Sequence, residues 1–484
     1  MSICIRKFFS EKTKDKYVWL IVVVGFFSRF LFLPETARFI WDETSDLRRM
    51  YEMVHGKFFT MIGPISENGV ELFGSLTYYM SLPTTILTGF DPVGPVLANA
   101  FFGFLTVILF YIIFKKFLRE SAWKFSLALL GWPAFLFSSR WAWNPNFTPF
   151  WSTLSILFWL SPSNLNWFLS GLFVGLTIHH HWLGAFTAFS LLLISLIMVV
   201  KERKNFSILI FLIFGLLLAV FPFIIFDLRH QFFFFKHFFF TQKHLEIAFF
   251  SFPTTGRIFG LIKVVGFTLS VWLIPLTLSF LPKLKMKKRN DNLASYFLLI
   301  FLINIFLLIF VTRFWEYYLL PGLPFFITFL AIKSLPVWQK PFLGSSLAFF
   351  VCILGFVIYF LTLPPLWQRS MNSAKKIVEI MVEDSRNFEN VNVAAIQSPD
   401  PNLTGNRYRD MAVIKGAKFL GKDQYPQTQV LYVVSTTDEI EKVCHDPAYE
   451  VQNLRPFLIK KSWQIDNFWF IYRLEKQKES VGAC

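Results

Sequence analysis

Apolar runs long enough to cross roughly 30 Å of hydrocarbon, about 17–25 residues for a helix, recur along this chain and decide most of what it can fold into. They fall near 17–33, 93–114, 122–138, 147–160, 207–226, 258–281, 293–312, 316–332 and 342–363. The stretch 167–200 divides into a short run, Gly171 to Leu176, and a longer one, Trp182 to Val200, turning at His179-His180-His181. About eleven crossings result. With 55% hydrophobic residues and 64 phenylalanines in 484, and a mean hydropathy of +0.51, a soluble protein is excluded.

Charge orients the crossings. With the N-terminus inside, segments 1–16, 115–124, 161–166, 201–206, 282–292 and 333–341 are cytoplasmic and hold 19 Lys and Arg in 58 residues. The outer segments 34–92, 138–146, 179–182, 227–257 and 312–316 hold 10 in 108. That asymmetry is the one membrane insertion imposes. The first run follows a basic stretch but has bulky residues from Phe30 to Glu35, no small-residue cleavage site, and reads as a retained span. An odd count puts the C-terminus outside.

Segment 370–484 differs in kind. It carries 15 basic and 15 acidic residues, so the whole net charge of +16 belongs to residues 1–369. A helical opening (Ala374 to Val382) and strand-like runs at Val391–Ile396, Val430–Val434 and Phe468–Leu474 predict a small extracytoplasmic α/β domain. The division expected is a membrane domain, 1–366, and a soluble domain, 370–484. Of Cys4, Cys352, Cys444 and Cys484, only the last two can meet outside, and no disulfide is expected, Cys484 being at the chain end. No internal repeat is visible.

The 59 residues between the first two runs are long for a connection, which points to function. They open with Arg38-Phe-Ile-Trp-Asp42-Glu43. Beyond the acids, Leu47, Met50, Tyr51 and Val54 share a helical face opposite Asp46, Arg48, Arg49 and Glu52. Thr44 or Ser45 is expected to cap this helix and Gly56 to end it. Asp42 and Glu43 then sit at the positive end of an interfacial helix, which favours ionised carboxylates. An ionised carboxylate there can take a proton from an acceptor hydroxyl.

The second long outer loop follows Asp227-Leu-Arg229-His230. His230, His237 and His244 are seven apart, as are Arg229, Lys236 and Lys243, which makes a cationic stripe suited to lipid phosphate. Histidines spaced about 10.5 Å along a helix cannot share one ion, and consecutive ones at 179–181 diverge. No metal is expected. Arg140 in Arg-Trp-Ala-Trp-Asn-Pro-Asn146, and Arg313 in Arg-Phe-Trp-Glu-Tyr-Tyr318, add cations to two further outer turns. Each cation can serve a ligand or a neighbouring acid.

In this order the segments resemble the GT-C superfamily of membrane glycosyltransferases, in its protein O-mannosyltransferase and aminoarabinose-transferase branch. The resemblance covers roughly residues 15–365. It rests on Arg38-x-x-x-Asp42-Glu43, Phe73-Gly-Ser-Leu-Thr-Tyr78-Tyr79, Gly171 to His181, Phe226-Asp-Leu-Arg-His230 and Tyr317-Tyr-Leu-Leu-Pro-Gly-Leu-Pro324. It implies an α-helical polytopic fold and an inverting transfer of one sugar from a polyprenyl-phosphate donor to an extracytoplasmic acceptor. Asp42 is then the base, with Glu43 or Asp227 as a second acid. Arg38, Tyr78, Tyr79, Arg140, His180, His181, Arg229, His230, Arg313 and Tyr318 are candidate substrate contacts. The outer turn 138–146, where relatives often carry a second acid, here reads Trp-Ala-Trp-Asn. No cofactor is implied beyond the lipid-linked donor, and no nucleic-acid partner is expected. A bacterial inner membrane fits a chain without large lumenal inserts.

Two rivals remain. A flippase or transporter of lipid-linked sugars needs ionisable or broken-helix sites at mid-membrane, whereas these charges gather at the outer face. An oligosaccharide ligase differs from a monosaccharide transferase only in donor size.

Overall fold

The computed structural model describes residues 16–65, 72–233, 235–236, 255–269, 277, 291–311, 315–365, 368–396, 405–477 and 484. Arg313, His237, Lys243 and His244 lie outside the described residues. Every expected apolar run contains a helix. The helices are Lys16–Phe30, Val93–Leu118, Ala122–Leu130, Pro133–Ser139, Thr148–Trp159, Asn164–His180, Gly184–Lys201, Ser207–Arg229, Thr255–Leu269, Asp291–Leu308, Leu323–Lys333 and Pro341–Leu361. A helix at Leu76–Leu87 was not anticipated.

Length and apolarity by themselves account for fewer than the eleven crossings expected. Among the described residues four stretches are long and apolar enough to cross a membrane: Val93–Leu130, Gly184–Lys201, Ser207–Arg229 and Pro341–Leu361. Elsewhere the helices are short. Pro133 follows Gly131-Trp132 and interrupts the expected run 122–138, because proline lacks the N–H that would continue the ladder. The 12-residue Thr148–Trp159 helix spans only about 18 Å at 1.5 Å per residue.

The chain divides into two compact units. The first comprises Met1–Leu31, Thr60–Met80 and Leu97–Leu363. Apolar side chains are abundant on every helix here, so close packing depends on small residues. Gly171 and Gly215 show it. A Cβ on Gly171 would lie 2.0 Å from the Leu212 carbonyl oxygen, and one on Gly215 would lie 2.0 Å from that of Phe168. The Asn164–His180 and Ser207–Arg229 helices therefore meet backbone to backbone. A short antiparallel pair, β1 (Ile62–Ile65) and β2 (Leu72–Gly74), completes this unit.

The second unit comprises Phe32–Phe59, Ser81–Val96 and Pro364–Cys484. Its sheet has the order β3 (Val391–Ile396), β4 (Val430–Ser435), β6 (Phe470–Lys476), β5 (Phe457–Gln464). β3 and β4 are parallel and the other pairs antiparallel. A parallel pair needs a crossover, supplied through the Asn406–Ile414 helix. All six residues of the central β4 are buried. The expected opening helix is Met371–Asp384.

The absence of a disulfide was mispredicted. Cys444 and Cys484 are bonded, with Cα atoms 5.3 Å apart. The terminal residue reaches back to β5, where its N–H donates to the Phe457 carbonyl (2.9 Å), and that return brings the two thiols together.

Candidate active site

In the second unit, the helix bearing the acidic pair is Trp41–His55. It begins earlier than Thr44 or Ser45 would set it. Ile40 is extended at the N-cap, and with no side-chain acceptor it cannot cap the helix itself. Glu43 does part of that work: its Oε2 accepts the Ile40 N–H at 2.7 Å, and the residue is buried at 4% exposure. Thr44 is consequently inside the helix and fully buried. Asp42, one residue before Glu43, is half-buried in the first turn, where the helix dipole favours its ionised form.

The buried face runs through Leu47, Met50 and Met53. Tyr51 instead stacks on His55 (3.9 Å) and meets Phe90 edge-on (5.2 Å). Arg48 pairs with Glu52 one turn on (2.8 Å). Arg38 is half-buried in the same unit.

In the first unit the helix Asn164–His180 carries past the expected turn and ends with His181 as its cap. The three histidines diverge as their spacing predicts, and each has a different fate. His179 Nε2 contacts the Ala219 carbonyl (2.7 Å), and the ring lies against Gly74, where a Cβ would come within 2.2 Å of Nδ1. Trp151 Nε1–H donates to His180 Nε2 (2.9 Å). That nitrogen is therefore unprotonated, so the neutral ring carries its proton on Nδ1 and donates it to Thr77 Oγ1 (2.8 Å). With both nitrogens used and no exposure, His180 is a strut between three helices.

His181 differs. Its Nδ1 accepts the Leu183 N–H (3.3 Å), which leaves the proton on Nε2, and among the described residues that N–H has no partner. The ring is enclosed by Phe73, Trp182, Tyr317 and Tyr318 at centroid distances of 5.2, 5.4, 5.5 and 5.7 Å. The indole N–H of Trp182 is also buried without an acceptor among the described residues. Two donors in an aromatic enclosure can hold an anionic or hydroxylic oxygen, and the buried Trp182 N–H left unpaired costs about 1–3 kcal/mol.

Arg140 and Tyr79 are bonded within the first unit as well. Arg140, 4% exposed, donates to the Tyr359 hydroxyl (2.9 Å) and to the carbonyls of Ser28 (2.9 Å) and Leu31 (2.5 Å). Arg29 donates in turn to Leu130 O (2.8 Å). Each cation thus sits at a helix C-terminus, whose orphan carbonyls and partial negative charge it satisfies. The Tyr79 hydroxyl donates to Thr60 O (2.8 Å) and accepts the Thr60 N–H (3.0 Å). Tyr78 and Tyr318 are buried.

Solved structures carry the same architecture. ArnT from Cupriavidus metallidurans bound to undecaprenyl phosphate superposes with a TM-score of 0.61 at 13% identity, covering 94% of this chain and 97% of that one. The same protein in the apo state gives 0.62 at 13% identity, with the same coverages. The chain has the ArnT fold. No protein-family model matches the sequence, and no curated protein does. The resemblance to the GT-C aminoarabinose-transferase branch thus stands at the level of fold, and the chain is a multi-pass membrane protein.

Against that fold the remaining candidates are at the end of the Ser207–Arg229 helix. Asp227 is half-buried, and its carboxylate accepts the Phe235 N–H (3.2 Å). His230 Nδ1 contacts the Phe226 carbonyl (2.7 Å), which leaves Nε2 on an exposed ring. Arg229 and Lys236 are exposed. Among the described residues no three His, Cys, Asp or Glu side chains converge as metal ligands.

Proposed function

We propose that this protein is an inverting glycosyltransferase that moves one sugar from a polyprenyl-phosphate donor to an acceptor outside the cytoplasm. The observation that carries the reading is the ArnT fold, in a solved structure bound to undecaprenyl phosphate, combined with the Asp42 carboxylate, half-buried in the first turn of the Trp41–His55 helix. Asp42 is the general base: it takes the acceptor hydroxyl proton as that oxygen attacks the anomeric carbon. The sugar–phosphate bond breaks on the opposite face, building positive charge on the ring and negative charge on the departing phosphate. Donors preset for that charge lower the barrier. His181 Nε2–H and Trp182 Nε1–H are proposed as donors to substrate oxygen, and Arg229 and His230 as phosphate contacts. Asp227 is the reserve acid, and Arg38, Tyr78 and Tyr318 are substrate contacts. The chain would lie in a bacterial inner membrane, N-terminus inside and C-terminus outside, with the remaining apolar helices completing about eleven crossings.

The test is sugar release from radiolabelled polyprenyl-phosphate monosaccharides by purified protein, wild type beside Asp42→Asn. Turnover that vanishes in a folded Asp42→Asn protein supports the reading. No turnover with any monosaccharide donor, with or without acceptors, rejects it in favour of a ligase or flippase.

A further inference from the structure

The Asn406–Ile414 helix of the outer unit carries two arginines that point opposite ways, because residues two apart on a helix differ by about 200°. Arg409 faces the sheet. Its guanidinium donates to Asn392 Oδ1 (2.8 and 3.2 Å), to the Val393 carbonyl (3.3 Å) and to the Tyr425 hydroxyl (2.5 Å). Asn392 and Val393 belong to β3, so the helix is tied to the sheet. Arg407 faces the outer loop. It is fully buried, lies 4.6 Å from the centroid of the Phe39 ring and donates to Ser370 Oγ (2.8 Å).

Phe39 is fully buried too, and its backbone N–H donates to the Gln368 carbonyl (2.7 Å). Three residues later comes Asp42. A second contact joins the same two helices, where Asp410 interacts with Ser45 and lies 3.8 Å from Arg48. An unbroken path therefore runs from the sheet through Arg409, Arg407 and Phe39 to the turn that presents the carboxylate.

We propose that Arg407 is a positioning residue for Asp42, and that the α/β domain serves the reaction by fixing the start of the Trp41–His55 helix. The inference rests on the reading of Asp42 as the base. Its sense is geometric: a misplacement of about 1 Å at a reacting group costs on the order of 10²-fold in rate. Phe39 is held on one side by a backbone hydrogen bond and on the other by a guanidinium over its ring, which leaves the 39–42 turn little freedom.

The experiment uses the full-length protein in lipid nanodiscs. Arg407→Met keeps the apolar stem and removes the charge. Phe39→Leu keeps the burial and removes the ring face, and it carries the test if Arg407→Met fails to fold. Amide hydrogen exchange over residues 39–48 is read beside kcat and KM for a radiolabelled polyprenyl-phosphate sugar. Each variant is expected to speed exchange at 39–48 and to lower kcat about 10-fold or more. Donor KM should stay within about threefold, and the double variant should be no worse than either single, as for two halves of one interaction. Unchanged exchange, unchanged kcat or a loss confined to KM would overturn the positioning role. If the wild type turns over no donor, the assignment of Asp42 fails and the inference with it. Activity lost in Asp42→Asn but retained in Arg407→Met defeats the inference alone.

Discussion

The two units of this protein place polar side chains in different settings. In the membrane unit the candidate groups are largely absorbed by structure. His180 bonds Trp151 and Thr77, Tyr79 bonds Thr60, and Arg140 and Arg29 take up carbonyls at helix ends. Away from water every unpaired N–H or carbonyl costs free energy, so polar residues there serve first as internal partners. In the second unit the framework is an α/β sheet with its own core, and the helix that bears Asp42 and Glu43 starts on a backbone bond to the Glu43 carboxylate. A polar residue inside the membrane unit is thus weak evidence for chemistry unless an atom is left over. His181 Nε2 and Trp182 Nε1 are such atoms.

The contrast can be broken by experiment. The largest effect is expected from Asp42→Asn, which removes the proposed proton acceptor and should lower the turnover of folded protein by about 10²–10⁴-fold. An equal loss in Glu43→Gln at unchanged stability would erase the distinction between the two acids. Gly215→Leu should do the reverse. It forces apart two helices whose backbones touch and should destabilise the protein by about 3 kcal/mol, seen in thermal unfolding in detergent.

Trp151→Phe sharpens the comparison by stranding the buried acceptor on His180. It should cost about 1–3 kcal/mol, with turnover per folded molecule retained. A specific loss of kcat at full stability would return His180 to the active site.

Asp410 gives a smaller, pH-dependent effect. Burial, with a contribution from Glu52, pushes its carboxyl up to about 6 from an ordinary 3.8, against the opposing pull of Arg48, Arg409 and the Ser45 hydrogen bond. In the unfolded chain the group ionises near its ordinary value, so between there and about pH 6 the folded state holds the extra proton. Stability from this group is full below that window and is lost as pH rises through it. Asp410→Asn should therefore be more stable than the wild type above pH 6, on the order of 1 kcal/mol, with the difference vanishing near pH 4. Smallest of all, Glu52→Gln breaks a pair with Arg48 that is about a third exposed on each side, and a shift within about 0.5 kcal/mol is expected.

Much of the fold was legible because its signals are local. Apolar runs mark helices, and the β-branched runs at 391–396 and 430–434 mark strands buried along almost their whole length. β5 was missed because it lies at the sheet edge with Lys460, Lys461 and Ser462 exposed, so its composition is that of a loop. The early helix start at Trp41 was missed because a carboxylate three residues inside the helix, rather than a hydroxyl before it, meets the free N–H of Ile40. Of the candidate site, Arg140 and His180 bond partners distant in sequence that no local signal could name: Tyr359 lies 219 residues from Arg140 and Thr77 lies 103 residues from His180.

By itself the sequence determined which segments are apolar and the placing of the acidic pair at the start of a helix, since hydropathy and charge act residue by residue. Tertiary structure decided which polar atoms stay available. It joined Cys444 to Cys484, spent Glu43 on a cap and tied Phe39 to an arginine 368 positions later. Hydrogen-bond capacity is finite and short-ranged, so which groups are used up depends on neighbours that only the folded chain brings together.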